Sequence, residues 1–151
     1  MGFKEVRMHV RKKEETDGER IKQFFDGMGL DVSLVPQKEY LTIDCEMVSF
    51  ENYEEIAMEM SGKLGLSVLV GLVFDSDVAV LQGYINGEKE YEEVKSFEEN
   101  QEMDRESFLK EFFPDCDLKA FSDILDCTDR TFAEEYLFEL GDVVGISFFD
   151  E

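Results

Sequence analysis

Residues 66–87 read LSVLVGLVFDSDVAVLQGYING, and this stretch decides the fold. Its first part, residues 66–74, is almost wholly apolar, which is typical of a short central strand covered on both faces. The acidic segment 75–77 favours a turn, because Asp and Ser side chains hydrogen-bond to their own backbone. Residues 78–85 predict a returning strand, and Asn86-Gly87 is the dipeptide that most favours a two-residue hairpin. The stretch therefore predicts the middle of an antiparallel sheet.

Other elements extend from this centre in both directions. Residues 88–95 are nearly all charged, which is typical of a strand at the edge of a sheet. Towards the N-terminus, hydrophobic periodicity predicts a strand at 3–12, a helix from Thr16 to Gly29, strands at 31–36 and 39–46, and a helix at 52–64. Towards the C-terminus it predicts three helices, which begin at Asp104, at Asp117 and near Thr128 or Thr131.

The element order β-α-β-β-α-β-β-β followed by three helices predicts an α+β fold. We expect a mixed, largely antiparallel sheet with helices packed on at least one face and a C-terminal three-helix segment. Neither a repeat nor a linker interrupts residues 1–151, so a single domain is the simplest organisation. A boundary near residue 100, where strands give way to helices, is the alternative.

Four helix starts carry side chains suited to capping. Thr16-x-x-Glu19 has the form of a capping box, and Asn52 precedes the second helix. Asp104 and Asp117 stand before the next two helices. In the last helix, the spacing of Phe132 with later apolar residues predicts that its ring points inward.

The first strand alternates apolar and charged residues, which predicts one solvated face. His9 lies on the charged face between Arg7 and Arg11, and it is the only histidine of the chain. We interpret it as a solvated or lightly paired strand residue, because a catalytic triad would need it together with a nucleophile. The neighbouring basic residues are expected to neutralise nearby glutamates.

Charge is the most unusual property of the chain, with 37 acidic and 15 basic residues and a formal net charge of −22. A 43% hydrophobic composition with 14 Phe is that of a folded protein, so the acids belong on its surface. Residues 88–151 alone hold 21 acids and 6 bases. We expect the surplus acids to form one patch that meets a cationic macromolecule and repels nucleic acid. Adaptation to high salt is the competing explanation.

Cysteine spacing and hydropathy bear on the compartment. The three cysteines, Cys45, Cys116 and Cys127, are unevenly spaced and odd in number, which favours reduced thiols in the cytoplasm. No stretch approaches the ~20 apolar residues that span a bilayer, and the basic N-terminus lacks the apolar segment of a signal peptide. We therefore predict a cytoplasmic protein with no membrane association.

One local feature suggests an alternative chemistry. Asp75 and Asp77 follow a buried strand, and two nearby carboxylates can hold Mg²⁺. The same residues also suit a tight turn, and no third carboxylate stands at a recognisable spacing. We therefore predict no catalytic residue, no metal and no cofactor, and keep a metal-dependent enzyme as the alternative.

Two segments resemble small bacterial proteins of known type. These are VLVGLVFDSDVAVLQGYINGE at 68–88 and FAEEYLFELGDVVGI at 132–146. The proteins in question are similar to immunity proteins of polymorphic-toxin and contact-dependent growth inhibition systems. The resemblance covers about half of the chain and specifies a fold, so no functional residue is carried over from it. It implies a non-enzymatic cytoplasmic binder of a cognate toxin domain, often a basic nuclease.

Charge and resemblance together predict an inhibitor that occludes the active site of a basic toxin C-terminal domain, as a monomer in a 1:1 complex. A regulatory or scaffold module with another basic protein partner is the alternative. The expected partner-binding residues are acids of the edge strand, of the loop after it and of the last helix: Glu92, Glu93, Glu98, Glu99, Glu134, Glu135, Glu139 and Asp142.

Overall fold

Six strands and five helices make up residues 2–149, the part of the chain that a computed structural model describes. In chain order they are β1 (Glu5–Arg11), α1 (Asp17–Gly27), β2 (Ser33–Gln37), β3 (Tyr40–Asp44), α2 (Tyr53–Leu64), β4 (Val68–Phe74), β5 (Val78–Ile85), β6 (Glu88–Ser96), α3 (Arg105–Phe112), α4 (Leu118–Leu125) and α5 (Glu134–Val144).

The strands form one sheet in the order β2-β3-β1-β4-β5-β6, and every neighbouring pair is antiparallel. This confirms the α+β class, with a sheet that is antiparallel throughout the described residues rather than mixed. The central position of β4 is confirmed as well, since its residues from Val68 to Val73 are buried. Asn86 and Gly87 both have positive φ, 54° and 84°, as the predicted tight hairpin requires.

Helices cover both faces of the sheet. Helices α1 and α2 pack on one face, around Phe25, Met60 and Tyr84. The helices α3, α4 and α5 pack on the other face together with the segment 146–149. Close approach there depends on Gly83 of β5, because a Cβ at that position would lie 2.6 Å from Cε2 of Phe112.

The second helical layer overturns the expectation for β1. The face that carries His9 is covered rather than solvated: His9 itself is 0% exposed, and Glu5, Arg7 and Arg11 are part-buried. Its Nδ1 lies 2.8 Å from Oγ1 of Thr42 and its Nε2 lies 3.1 Å from the carbonyl oxygen of Phe148. Because a carbonyl oxygen only accepts, Nε2 carries a proton and donates it to Phe148. The histidine therefore anchors the C-terminal segment to the sheet.

Two of the predicted helix caps are confirmed and two are wrong. Asp104 and Asp117 accept hydrogen bonds from the backbone N–H groups three residues ahead, as N-caps do. Thr16 makes no such bond, because its own backbone is already helical, with φ −79° and ψ −7°. The neighbouring Asp17 Oδ2 accepts from the N–H groups of Lys13 and Glu14 behind it. Asn52 also fails as a forward cap, since its Oδ1 accepts from the N–H of Ser49 behind it.

The two edges of the sheet are obstructed in different ways. Strand β2 contains Pro36, which has no N–H group to offer to a further strand. Strand β6 is the other edge, as its charge predicted. There the loop after it folds back, and Gln101 and Val94 exchange hydrogen bonds of 2.8 and 2.9 Å. Both devices discourage the addition of strands from other molecules.

Candidate interaction surface

Exposed acids lie on both helical layers of the molecule, so acidity is not confined to one patch. The excess is nevertheless uneven. Residues 97–149, which supply the layer of α3, α4 and α5, hold fifteen acids and four bases. Because the excess of acids is large here, this layer is the candidate surface for contact with a cationic partner.

All four cations of this layer are already engaged in ion pairs. Lys110 pairs with Glu106 at 3.6 Å and Lys119 with Asp123 at 2.9 Å. Arg130 pairs with Glu139 at 3.0 Å, and Arg105 pairs with three carboxylates. Ten acids of residues 97–149 have no cation within 4.0 Å among the described residues: Glu98, Glu99, Asp104, Glu111, Asp115, Asp117, Asp129, Glu134, Glu135 and Asp142.

One expected surface acid lies in the interior. Glu93 is only 1% exposed, and its carboxylate pairs with Arg105, whose side chain is also buried. A hydrogen bond from Arg105 also lowers the pKa of Asp126 below its usual range. The placement of Glu93 on the solvent side of the edge strand is therefore corrected. Its side chain shares the face of its cross-strand neighbour Leu81, which α3 and α4 cover, and Arg105 pairs with it there.

The remaining expected residues differ in their exposure and in whether their carboxylates already have partners. Glu98, Glu99 and Asp142 are exposed. Glu92 is half-buried and accepts hydrogen bonds from Gln82 Nε2 at 2.7 Å and Lys89 Nζ at 3.1 Å. Glu139 is held by its ion pair with Arg130. The structure thus separates freely exposed carboxylates from those that already hold the fold together.

Glu134 and Glu135 open the last helix and serve the fold there. Glu135 Oε2 accepts from the backbone N–H groups of Thr131 at 2.9 Å and Phe132 at 2.7 Å, so it closes the turn before α5. Glu134 Oε2 accepts from the hydroxyl of Ser76 at 3.0 Å. The helix begins at Glu134 rather than near Thr128 or Thr131, and both carboxylates are therefore local anchors.

Ser76 is the centre of a network that joins three parts of the chain. Its Oγ accepts from the N–H of Phe3 at 2.8 Å, and its own N–H donates to the carbonyl of Phe3 at 2.9 Å. Its carbonyl accepts from the N–H of Ala133 at 2.9 Å. Both Asp75 and Ser76 have positive φ, 52° and 59°, although neither is glycine. This strained turn is therefore fixed by hydrogen bonds to the N-terminal segment and to the start of α5.

Three exposed phenylalanines lie near this turn, and two of them, Phe74 and Phe132, were predicted to be buried. Phe97 is 66% exposed, Phe132 is 52% exposed and Phe74 is 44% exposed. The inward orientation predicted for Phe132 is wrong, because the helix that would have turned it inward starts two residues later. Phe97 carried a signal that sequence reading could have used, since it is the one aromatic residue of an otherwise polar, acidic loop.

The alternative of a metal-dependent enzyme depends on Asp75 and Asp77, and both are exposed at the turn. Within residues 2–149, no three His, Cys, Asp or Glu side chains are grouped so as to hold a metal ion. The three cysteines are free thiols. In the same range, no helix is long and apolar enough to cross a membrane.

Comparison with protein-family models, with curated proteins and with solved structures finds no match to this chain.

Proposed function

We propose that the protein is a non-enzymatic immunity protein that binds a cognate basic toxin domain and neutralises it by covering its active site. The observation that carries this proposal is the charge of the layer of α3, α4 and α5. Its four cations are consumed by internal ion pairs, while ten of its acids have no described cation close by.

Electrostatics gives such a surface a specific use. A field of one sign steers a partner of opposite charge, and it can raise association rates towards 10⁸–10⁹ M⁻¹s⁻¹. An inhibitor that must stop a toxin before it acts gains most from fast association. Nuclease domains carry positive charge because they bind phosphate, so they suit this partner class. The same field repels nucleic acid from the protein.

Charge reversal on one layer provides the test, with the other layer as control. The test variant carries Glu98→Lys, Glu99→Lys, Asp129→Lys and Asp142→Lys. The control variant carries the same change at four exposed acids of the other layer, Glu15, Glu19, Asp26 and Glu55. None of these eight side chains forms an ion pair with a described cation.

An immunity role places the toxin gene directly upstream, so the probe is the C-terminal domain encoded there, and the measurement is its association rate against salt concentration. We expect the test variant to associate at least about tenfold more slowly, with a flatter salt dependence, and the control variant to change much less. Equal effects of both variants would remove the role assigned to this layer. Failure of the wild-type protein to bind that domain and to protect cells that express it would overturn the immunity role. A complex with a different basic protein would instead favour the regulatory or scaffold module.

A further inference from the structure

Several chain segments meet at one end of the sheet, around the strained turn at 75–77. Phe74 is the last residue of β4 and leads into the turn. Ser96 pairs with Val78 directly after the turn, which brings the next residue, Phe97, to the same end. The N–H of Ala133 donates to the carbonyl of Ser76, which places Phe132 beside the turn as well. Residues distant in sequence thus form one surface.

We call this surface the turn-end surface and define it by two exposed rings and the two exposed acids of the turn: Phe97, Phe132, Asp75 and Asp77. The ring of Phe74 is not part of it, because Phe74 packs against Phe50 on the opposite face of the sheet, the side of α1 and α2. Two rings that are each more than half exposed beside one turn are an unusual concentration of apolar area for a chain this charged. Exposed acids continue from it in both directions along the chain, at Glu98, Glu99 and Asp129.

The turn-end surface is rigid in its centre. Ser76 is 7% exposed, and its hydrogen bonds fix the turn to Phe3, to Ala133 and to Glu134. Asp75 and Ser76 are consecutive non-glycine residues whose backbones lie in the left-handed region. Each raises the free energy of the folded state by about 1 kcal/mol or more, and such strain clusters at functional positions. A surface that is already fixed loses less conformational entropy when a partner binds to it.

Charge decides which partner suits the surface. Three cations lie near this end of the sheet: Lys4 Nζ is 4.8 Å from the ring centre of Phe74, Lys95 Nζ is 5.7 Å from the ring centre of Tyr136, and Arg130 is paired with Glu139. The exposed acids of the turn and its flanks outnumber these cations and form no ion pair with a described cation: Asp75, Asp77, Glu98, Glu99 and Asp129. The turn-end surface therefore presents apolar rings among an excess of acids, and its complement is apolar side chains among cations.

We propose that the turn-end surface is the contact site for a cationic protein segment that carries exposed aromatic or aliphatic side chains. This deepens the proposed function and rests on its partner class, because it names where on the chain a basic partner docks. The rings of Phe97 and Phe132 supply the anchors, since buried aromatic side chains dominate interface energies. The acids around them orient the partner and accelerate its approach.

Two synthetic peptides of equal length and equal positive charge test this site without the natural partner. One alternates Arg with Trp and the other alternates Arg with Ala, and both are titrated into the isotopically labelled protein while amide chemical shifts are followed. We expect the Trp peptide to bind at least about tenfold more tightly, since only it offers side chains to the exposed rings. The shifts should concentrate at residues 74–79, 96–99 and 131–134.

The variant Phe97→Ser with Phe132→Ser should abolish the advantage of the Trp peptide. Its matched control is Met58→Ser with Leu118→Ser, which removes two exposed apolar side chains elsewhere and should leave the advantage intact. All four side chains are exposed, so neither variant removes a buried core residue.

Three results would overturn the site. The first is a Trp advantage that persists in the Phe97→Ser/Phe132→Ser variant, and the second is a set of shifts that maps to other residues. The third is a concentration-dependent dimer of the wild-type protein that the same variant abolishes, since this would assign the surface to a second copy. Since the peptides are not a toxin, a negative result with the upstream-encoded domain would overturn the immunity role while leaving this site standing.

Discussion

Arg105 and Glu93 form a two-pronged ion pair inside the protein, with Nε 2.9 Å from Oε1 and Nη2 2.5 Å from Oε2. The pair joins the first residue of α3 to β6, and Arg105 also reaches Asp126 after α4 at 2.9 Å. Hydrogen bonds with Glu93 raise the pKa of Arg105, so the guanidinium stays charged. The layer of α3 and α4 is thus held to the edge of the sheet by one cation.

Removal of one partner of this pair should be far more damaging than removal of both. Arg105→Met leaves the Glu93 carboxylate buried without its cation, which costs about 3–5 kcal/mol in comparable cases. The double variant Arg105→Met/Glu93→Met leaves no buried charge at this position and should lose less stability than Arg105→Met alone. Urea unfolding of all four proteins measures this coupling. Additive losses would show that the pair does not act as a unit.

Ser76→Ala should destabilise the protein by about 1–3 kcal/mol, because the part-buried N–H of Phe3 and the carboxylate of Glu134 both lose a hydrogen-bond partner. Thermal unfolding measures the loss. The neighbouring Asp77→Ala is the control, since that side chain is exposed and the change should remain within about 0.5 kcal/mol. Equal effects at the two positions would contradict the central role of Ser76.

Asp17 should contribute stability that depends on pH. Burial alone would raise the pKa of its carboxyl, but hydrogen bonds from Glu14, Lys13 and Arg20 hold it below its ordinary 3.8. The native state therefore favours the ionised form, and its contribution is complete above pH 3.8 and is lost as the pH falls through the lower folded-state value.

Asp17→Asn isolates this contribution. At pH 7 the variant should be less stable by about 1–2 kcal/mol, because the amide loses the charge-assisted hydrogen bonds that the carboxylate accepts from Lys13, Glu14 and Arg20. The difference should shrink when unfolding is repeated at progressively lower pH beneath 3.8. A difference that stays constant with pH would mean that the charge of Asp17 is irrelevant and that only its shape matters.

His9→Leu should release the C-terminal segment from the sheet. The ring bonds the carbonyl of Phe148, and leucine offers nothing in its place. We expect faster amide exchange at residues 146–149, together with a loss of stability from the unsatisfied Thr42 hydroxyl and Phe148 carbonyl. Exchange in β5 should rise only by the global loss of stability, which makes that strand the internal control. Unchanged exchange at 146–149 would contradict the anchoring role.

Local pattern was sufficient to predict the elements and their class. The apolar run at 66–74, the Asn86-Gly87 turn and the caps at Asp104 and Asp117 each depend on neighbours within a few residues, and each is confirmed. The solvated face predicted for β1 is wrong because its surroundings depend on distant residues. The segment that covers His9 lies more than a hundred residues further along the chain, and the alternation of residues within a strand cannot predict such a contact.

The candidate interaction surface shows the same difference between what local pattern predicts and what tertiary packing decides. Net charge directed attention to the C-terminal residues, where the acids outnumber the cations most. It was unable to distinguish an exposed carboxylate from a buried one, because the face of β6 that carries Glu93 is covered by α3 and α4, which come later in the chain, whereas Glu98 lies in the exposed loop. The exposed ring of Phe132 was missed because helical periodicity assigned it to the core, and Phe97 was given no role because it lies in a loop.

Pro36 on one margin of the sheet and the folded-back Gln101 on the other have a practical consequence for aggregation. A six-stranded sheet with open margins would favour edge-to-edge association of neighbouring copies into fibres. Because both margins are obstructed and molecules with a net charge of −22 repel one another, concentrated preparations of the protein should resist fibre formation.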